Sequence, residues 1–167
     1  TQTIPQVRKI VGPGSPPVAC AQVEMQRYGV ATMMILGPTE SLVIADDSAD
    51  PRLAAADLLN EAEHGTDSTV LLVTTSGAFA DAVDRELERQ LAQLPAARAE
   101  AARVALGGNG GCVMVADLAE AAEVANRWAP EHLQVVVAPD AEGELLDLLV
   151  NAGEILVGQS TLFSAGN

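Results

Sequence analysis

SLVIADDSADPRLAAADLLNEAEHGTDSTVLLVTT, Ser41 to Thr75, holds the pattern from which the topology follows. It opens with the apolar run LVIA (Leu42 to Ala45), passes through a stretch with helical spacing, and ends in VLLVTT (Val70 to Thr75). Two strand-length runs separated by a helix-length one predict a strand-helix-strand unit with parallel strands, because the helix carries the chain back to the edge where the first strand began. The helix boundaries have their own chemistry. Asp50 can cap the first amides, Pro51 stands where a missing N–H costs nothing, and Gly65 offers a left-handed residue to end the helix near His64.

The same alternation continues outward. CVMV (Cys112 to Val115), LQVVV (Leu133 to Val137) and EILV (Glu154 to Val157) read as three more strands. Phe79, Val83, Leu87 and Leu91 repeat at i+4, and Asp117 with Glu120 forms a capping-box pattern ahead of Leu118, Ala121, Ala122 and Ala125, so both stretches predict amphipathic helices. The Ala-rich run from Pro95 to Ala105 predicts another. The fold class is therefore α/β: a mostly parallel sheet with crossover helices on both faces, Rossmann-like but incomplete. The first 38 residues differ. They hold the turn Gly12-Pro13-Gly14 after RKIV, a predicted helix from about Val18 to Tyr28, and then MMILGPTE, whose Gly37-Pro38 step suggests a crossing from one lobe to another. The GPG turn can aim backbone amides at an anion, but it lacks the dinucleotide fingerprint spacing, and an ordinary strand-to-helix turn explains it as well.

With 167 residues, 49% of them hydrophobic, and no apolar run of membrane-spanning length, the chain has the means to bury one sizeable core. Its formal charge of -14 repels phosphate backbones and anionic lipid, which argues against nucleic-acid and membrane partners and for small molecules or protein subunits. The opening TQTIPQVRKIVGPGSPP has no basic region leading into an apolar one, so a cytoplasmic address is expected. Cys20 and Cys112 form no CxxC pair and read as small buried hydrophobes. Asp46 and Asp47 read as a surface turn, and the carboxylates scattered over the helices as solvated faces.

The chemistry centres on two histidines, His64 in NEAEHG and His132 in APEHL, each directly preceded by a glutamate. On a helix Glu61 and His64 share a face and can share a metal ion; an exposed helix end with a His near its dipole accounts for the same residues. Glu131 and His132 fall between a helix ending near Trp128 and a strand starting at Leu133. The edge where parallel strands begin is usually remote from the ligand crevice, which argues against catalysis, while the stiffening Pro130 beside two proton-transfer groups argues for it.

Taken together and in order, VGPGS (Val11 to Ser15), LGPTESLVIAD (Leu36 to Asp46), AADLLNEAEHG (Ala55 to Gly65), NRWAPEHLQV (Asn126 to Val135) and NAGEILVG (Asn151 to Gly158) resemble histidinol dehydrogenase. The resemblance implies a homodimeric enzyme that uses zinc and NAD to oxidise L-histidinol through the aldehyde to L-histidine in histidine biosynthesis. It implies zinc-ligand positions at Glu61, His64 and Asn167, substrate contacts at Thr39, Glu61 and His64, catalytic acid-base residues at Glu131 and His132, and a dinucleotide contact at Ser15. It further implies that residues 1–38 are the trailing part of a second nucleotide-binding lobe and that residues 39–167 form the α/β domain carrying the zinc and catalytic positions. Family segments on either side are not among these residues, so the fragment alone is expected to be inactive.

Four positions depart from the family pattern: Glu61 stands for glutamine, Asn167 near an aspartate, Thr39 for serine and Ser15 for asparagine. The first two exchange a carboxylate and a carboxamide, which keeps the donor set suited to zinc. They also leave open a related zinc- and NAD-dependent dehydrogenase for another amino or sulfonated alcohol, or a non-catalytic metal-binding domain of the same fold.

Overall fold

In a computed structural model, which describes residues 3–12, 14–32 and 37–165, the chain divides into two units, Thr1–Pro38 and Thr39–Asn167. In the first, strands β1 (Lys9–Ile10) and β2 (Ala31–Thr32) pair in parallel, joined by helix α1 (Pro16–Gln26). The helix starts at two prolines because the first-turn N–H groups have no intrahelical partner to lose. Gly12 has φ of 134°, a conformation that favours glycine, and its carbonyl accepts from the Gln22 carboxamide at 3.4 Å. Pro13, in the middle of that turn, lies outside the described residues.

The second unit runs β3 (Glu40–Ala45), α2 (Pro51–Ala62), β4 (Thr69–Thr74), α3 (Gly77–Leu91), α4 (Ala96–Val104), β5 (Gly111–Met114), α5 (Leu118–Trp128), β6 (His132–Val136), α6 (Pro139–Leu148) and β7 (Glu154–Val157). Its strands form one parallel sheet in the order β5-β4-β3-β6-β7. The chain moves outward from β3 through β4 to β5, then returns to β6 and β7 on the other side, which puts a topological switch point between β3 and β6. Helices cover both faces, as the alternating pattern predicts. Val43 and Ala45 meet residues of α2, α3 and α4, whereas Leu42, Ile44, Leu133 and Val135 meet α5 and α6. The caps hold: Asp50 accepts from the Arg52 amide at 2.9 Å. Asp117 accepts from the Glu120 amide at 2.8 Å, while the Glu120 side chain reaches one residue further back than a capping box requires, to the Ala116 amide.

Register positions the chemistry. Ser41, His132 and Glu154 lie opposite one another across β3, β6 and β7, followed two residues on by Val43, Gln134 and Leu156. Side chains alternate along a strand, so both rows face α2. After β7 the chain runs back over this face. Gln159 accepts from the Asp50 amide at 3.2 Å, the Thr161 carbonyl accepts from Gln134 at 2.8 Å, and the fully buried Phe163 stands edge-on to His132 with ring centroids 6.1 Å apart.

The structure corrects several sequence expectations. Helix α2 stops at Ala62, so His64 sits in the following turn, and Gly65 is not left-handed. Helix α2 ends through Glu63 in right-handed geometry, whereas α5 closes on a left-handed residue that is not glycine, Ala129, with φ of 55°. His132 begins β6 rather than preceding it, so the sheet itself fixes its backbone. Cys20 and Cys112 are exposed, because Cys20 faces outward on α1 and β5 is an edge strand with open flanks. Asp57 is buried, not part of a solvated helix face. No helix among the described residues is long and apolar enough to cross a membrane.

Candidate active site at the amino edge of the sheet

A crossover helix runs antiparallel to its strands, so the last turn of α2 ends at the edge where the strands begin. That places Glu61 beside the first residues of β3 and β6. Its side chain is fully buried, because Glu61 lies one turn beyond Asp57 on the stripe of α2 that faces the sheet. Oε1 accepts from the Asn60 carboxamide at 2.6 Å, and Oε2 has no hydrogen-bond partner. His64 Nδ1 approaches that unpartnered oxygen to 3.9 Å, near enough for charge attraction and too far for a hydrogen bond. Burial pushes the Glu61 carboxyl above its ordinary range; His64, the Asn60 hydrogen bond and His132 pull it down, and Glu131 pushes it up again. One buried carboxyl group thus feels both histidines and the second glutamate.

On β6, His132 is nearly buried, with Nε2 3.6 Å from Glu131 Oε2 and Nδ1 2.5 Å from Glu154 Oε1. The imidazole is flanked by two carboxylates, and the Phe163 ring borders it as well. Glu131 is 47% exposed at its side chain, so a carboxylate open to water adjoins an imidazole that is not. Such a couple can accept a proton from a bound hydroxyl and pass it outward.

Four of the residues singled out in the sequence are therefore brought together: Glu61, His64, Glu131 and His132. Thr39 lies on the same edge, one residue ahead of β3, where its carbonyl accepts from the Thr69 amide at 2.9 Å. Ser15 belongs to the first unit, where its carbonyl accepts from the Val18 and Ala19 amides. Asn167 lies outside the described residues. Sequence reasoning missed Glu154, Asp57, Ser41 and Gln134. Glu154 carried one signal, a charged residue opening an otherwise apolar strand; the others became significant only when α2 closed over them.

A metal ion has partial support in these residues. Among the described residues no group of three or more His, Cys, Asp or Glu side chains is arranged to hold one. Glu61 and His64 nevertheless offer an oxygen and an imidazole nitrogen, a donor set that suits zinc. The unpartnered Oε2 of a fully buried carboxylate is costly to keep ionised unless a cation meets it.

Comparison with known proteins agrees with this architecture. The histidinol dehydrogenase family model matches residues 1–167. The chain is 43% identical over 169 residues to histidinol dehydrogenase of Escherichia coli (strain K12), covering 100% of this chain and 38% of that protein. It is 46% identical over 163 residues to the Rhizobium meliloti (strain 1021) enzyme, covering 96% and 36%. The crystal structure of histidinol dehydrogenase from Elizabethkingia anophelis superposes with a TM-score of 0.88 at 38% identity, over 99% of this chain and 37% of that one. The chain spans less than two fifths of the length of these relatives. By the match over its whole length, the chain belongs to the histidinol dehydrogenase family.

Proposed function

We propose that the whole protein oxidises L-histidinol to L-histidine through the aldehyde, within histidine biosynthesis, and that the amino edge of the sheet is where the alcohol carbon meets its proton acceptor. The observation that carries this reading is the meeting of Glu61 and His64 with Glu131 and His132, from segments far apart in sequence, around one buried and unpartnered carboxylate oxygen. Glu61 and His64 would hold zinc, with Asn167 as a further donor; zinc supplies a Lewis acid that orients the imidazole and amino groups of histidinol, and NAD supplies the hydride acceptor. The chain's own residues handle the protons. His132 takes the hydroxyl proton through Nε2 as the hydride leaves the carbinol carbon, and Glu131 takes a proton from the water that adds to the aldehyde before the second oxidation.

Thr39 as a substrate contact, Ser15 as a dinucleotide contact, residues 1–38 as part of a second nucleotide-binding lobe, a homodimeric assembly and a cytoplasmic location rest on the family relationship. Charge bears on the substrate. Glu61, Glu131 and Glu154 gather three carboxylates at this edge, which favours a cationic amino alcohol over a sulfonated one. The test is NADH formation from L-histidinol by the whole protein, abolished by chelation and restored by zinc. Metal-replete protein that oxidises another alcohol and leaves histidinol untouched would overturn the substrate, and tight zinc binding without turnover of any alcohol would overturn the reaction.

A further inference from the structure

We propose that Glu154 is a positioning residue that holds His132 in the tautomer with its proton on Nδ1, leaving Nε2 as the proton acceptor. The inference rests on the reading of His132 as the base. Its geometry stands independently of any substrate.

A neutral imidazole carries one N–H, and an ionised carboxylate only accepts. Glu154 Oε1 is 2.5 Å from Nδ1, within hydrogen-bond reach, whereas Glu131 Oε2 is 3.6 Å from Nε2, beyond it. Two carboxylates thus compete for a single proton, and Glu154 holds it. The lone pair of Nε2 is left free on the side away from the sheet partner.

The contact is built into the backbone. His132 and Glu154 are direct partners in the parallel ladder. The Gly153 amide donates to the Pro130 carbonyl at 2.9 Å, and the Glu154 amide to the Glu131 carbonyl at 3.0 Å. Gly153 permits this approach: a Cβ there would lie 2.6 Å from the Glu131 carbonyl oxygen. Phe163, edge-on to the imidazole, restricts the ring further. Without the Glu154 carboxylate, the remaining one is Glu131, on the Nε2 side. The proton would then move to Nε2 and occupy the position that must accept.

The experiment uses the imidazole nitrogens of the 167-residue chain, 15N-labelled, at about pH 8, where an ordinary histidine is neutral. His64 and His132 are its two histidines, and H64N assigns the signals. His132 is expected as the Nδ1–H tautomer in the wild type and in E154Q, whose carboxamide oxygen still accepts, and as the Nε2–H tautomer in E154L, with E154A in its place if leucine disrupts the strand. In the whole protein, E154L should lower kcat for histidinol about 10²-fold with KM within about 3-fold, and E154Q should restore kcat to within about 10-fold of wild type. A wild-type Nε2–H tautomer, or an Nδ1–H tautomer that survives E154L, overturns the proposal. Histidinol oxidation with kcat unchanged in E154L also overturns it while leaving the reaction standing. The expected tautomer shift in a whole protein that does not oxidise histidinol supports the role of Glu154 on the ring and removes the substrate reading alone.

Discussion

The two edges of the five-stranded sheet treat their polar groups in opposite ways. At the carboxyl edge, Asp46 follows β3 with both oxygens engaged: Oδ1 accepts from the Ser48 amide at 2.8 Å and the Ser48 hydroxyl at 2.5 Å, and Oδ2 accepts from the Ala138 amide at 2.9 Å. The last of these bonds crosses the switch point between β3 and β6, where an open parallel sheet ordinarily receives its ligand. At the amino edge, Ser41 Oγ and Glu61 Oε2 are buried without partners, and His132 is held between two carboxylates. Buried polar atoms are almost always satisfied, so unsatisfied ones clustered near titratable groups mark a place arranged to meet something else. In this unit Asp46 bridges the edge where a ligand is ordinarily expected, and the unpartnered and titratable groups gather at the opposite edge.

The contrast between the edges is tested most severely at His132. H132N in the whole protein should lower kcat about 10²- to 10⁴-fold with folding unchanged by circular dichroism. D46A should leave kcat within about 3-fold of wild type, and a comparable loss of turnover in D46A would show that the carboxyl edge shares in the chemistry.

The complementary measurement is stability. D46A removes an acceptor of three hydrogen bonds and should cost about 1–3 kcal/mol in urea denaturation. Partial burial pushes the Asp46 carboxyl up, but the bonds from Ser48 and Ala138 outweigh it and hold the group below its ordinary value of 3.8. A depressed folded-state value means that this stabilisation is present above about pH 4 and disappears as the pH falls through the folded-state value. The difference between wild type and D46A should therefore shrink in acid.

Asp57, beneath the amino edge, has the opposite pH behaviour. Burial between α2 and the sheet pushes its carboxyl up to about 6, although the Gln134 side chain pulls it down, and Glu61 pushes it further up. A raised folded-state value makes the folded chain the stronger proton binder, so this group's contribution to stability is fully present below about pH 4 and is lost as the pH rises through 6. D57N should consequently be more stable than wild type at pH 7, by about 1–2 kcal/mol, with the advantage vanishing below about pH 4. A flat difference across that range would mean that Asp57 is not held in a strained protonation equilibrium.

The smallest effect lies next to the site. Ala129 is exposed and left-handed at the end of α5. A129G should stabilise the chain by about 0.5–1 kcal/mol, since glycine adopts that conformation without a Cβ clash, with some of the gain offset by its unfolded-state entropy. Thermal denaturation of the two forms checks it, and kcat should be unaffected.

Much of the architecture was legible because it is written in local rules. Hydrophobic period identified all five strands of the second unit and its main helices, and Asp50-Pro51 and Asp117 marked helix starts that the structure keeps. Helix ends were less legible. Gly65 suggested a left-handed stop for α2, which ends through Glu63 in right-handed geometry, while α5 takes a left-handed stop at Ala129, where no glycine announced one.

The alternation of strands and helices, the acidic composition and the two acid-imidazole strings follow from the order of residues, since each depends on neighbours along the chain. That Glu154 faces His132, that Asp57 and Glu61 are buried, and that Ser41 and Gln134 retain unpartnered oxygens emerges only once the chain is folded. Those facts depend on strand order and parallel register, which bring residues from distant segments to within a side chain's reach. No local pattern specifies which strands become neighbours.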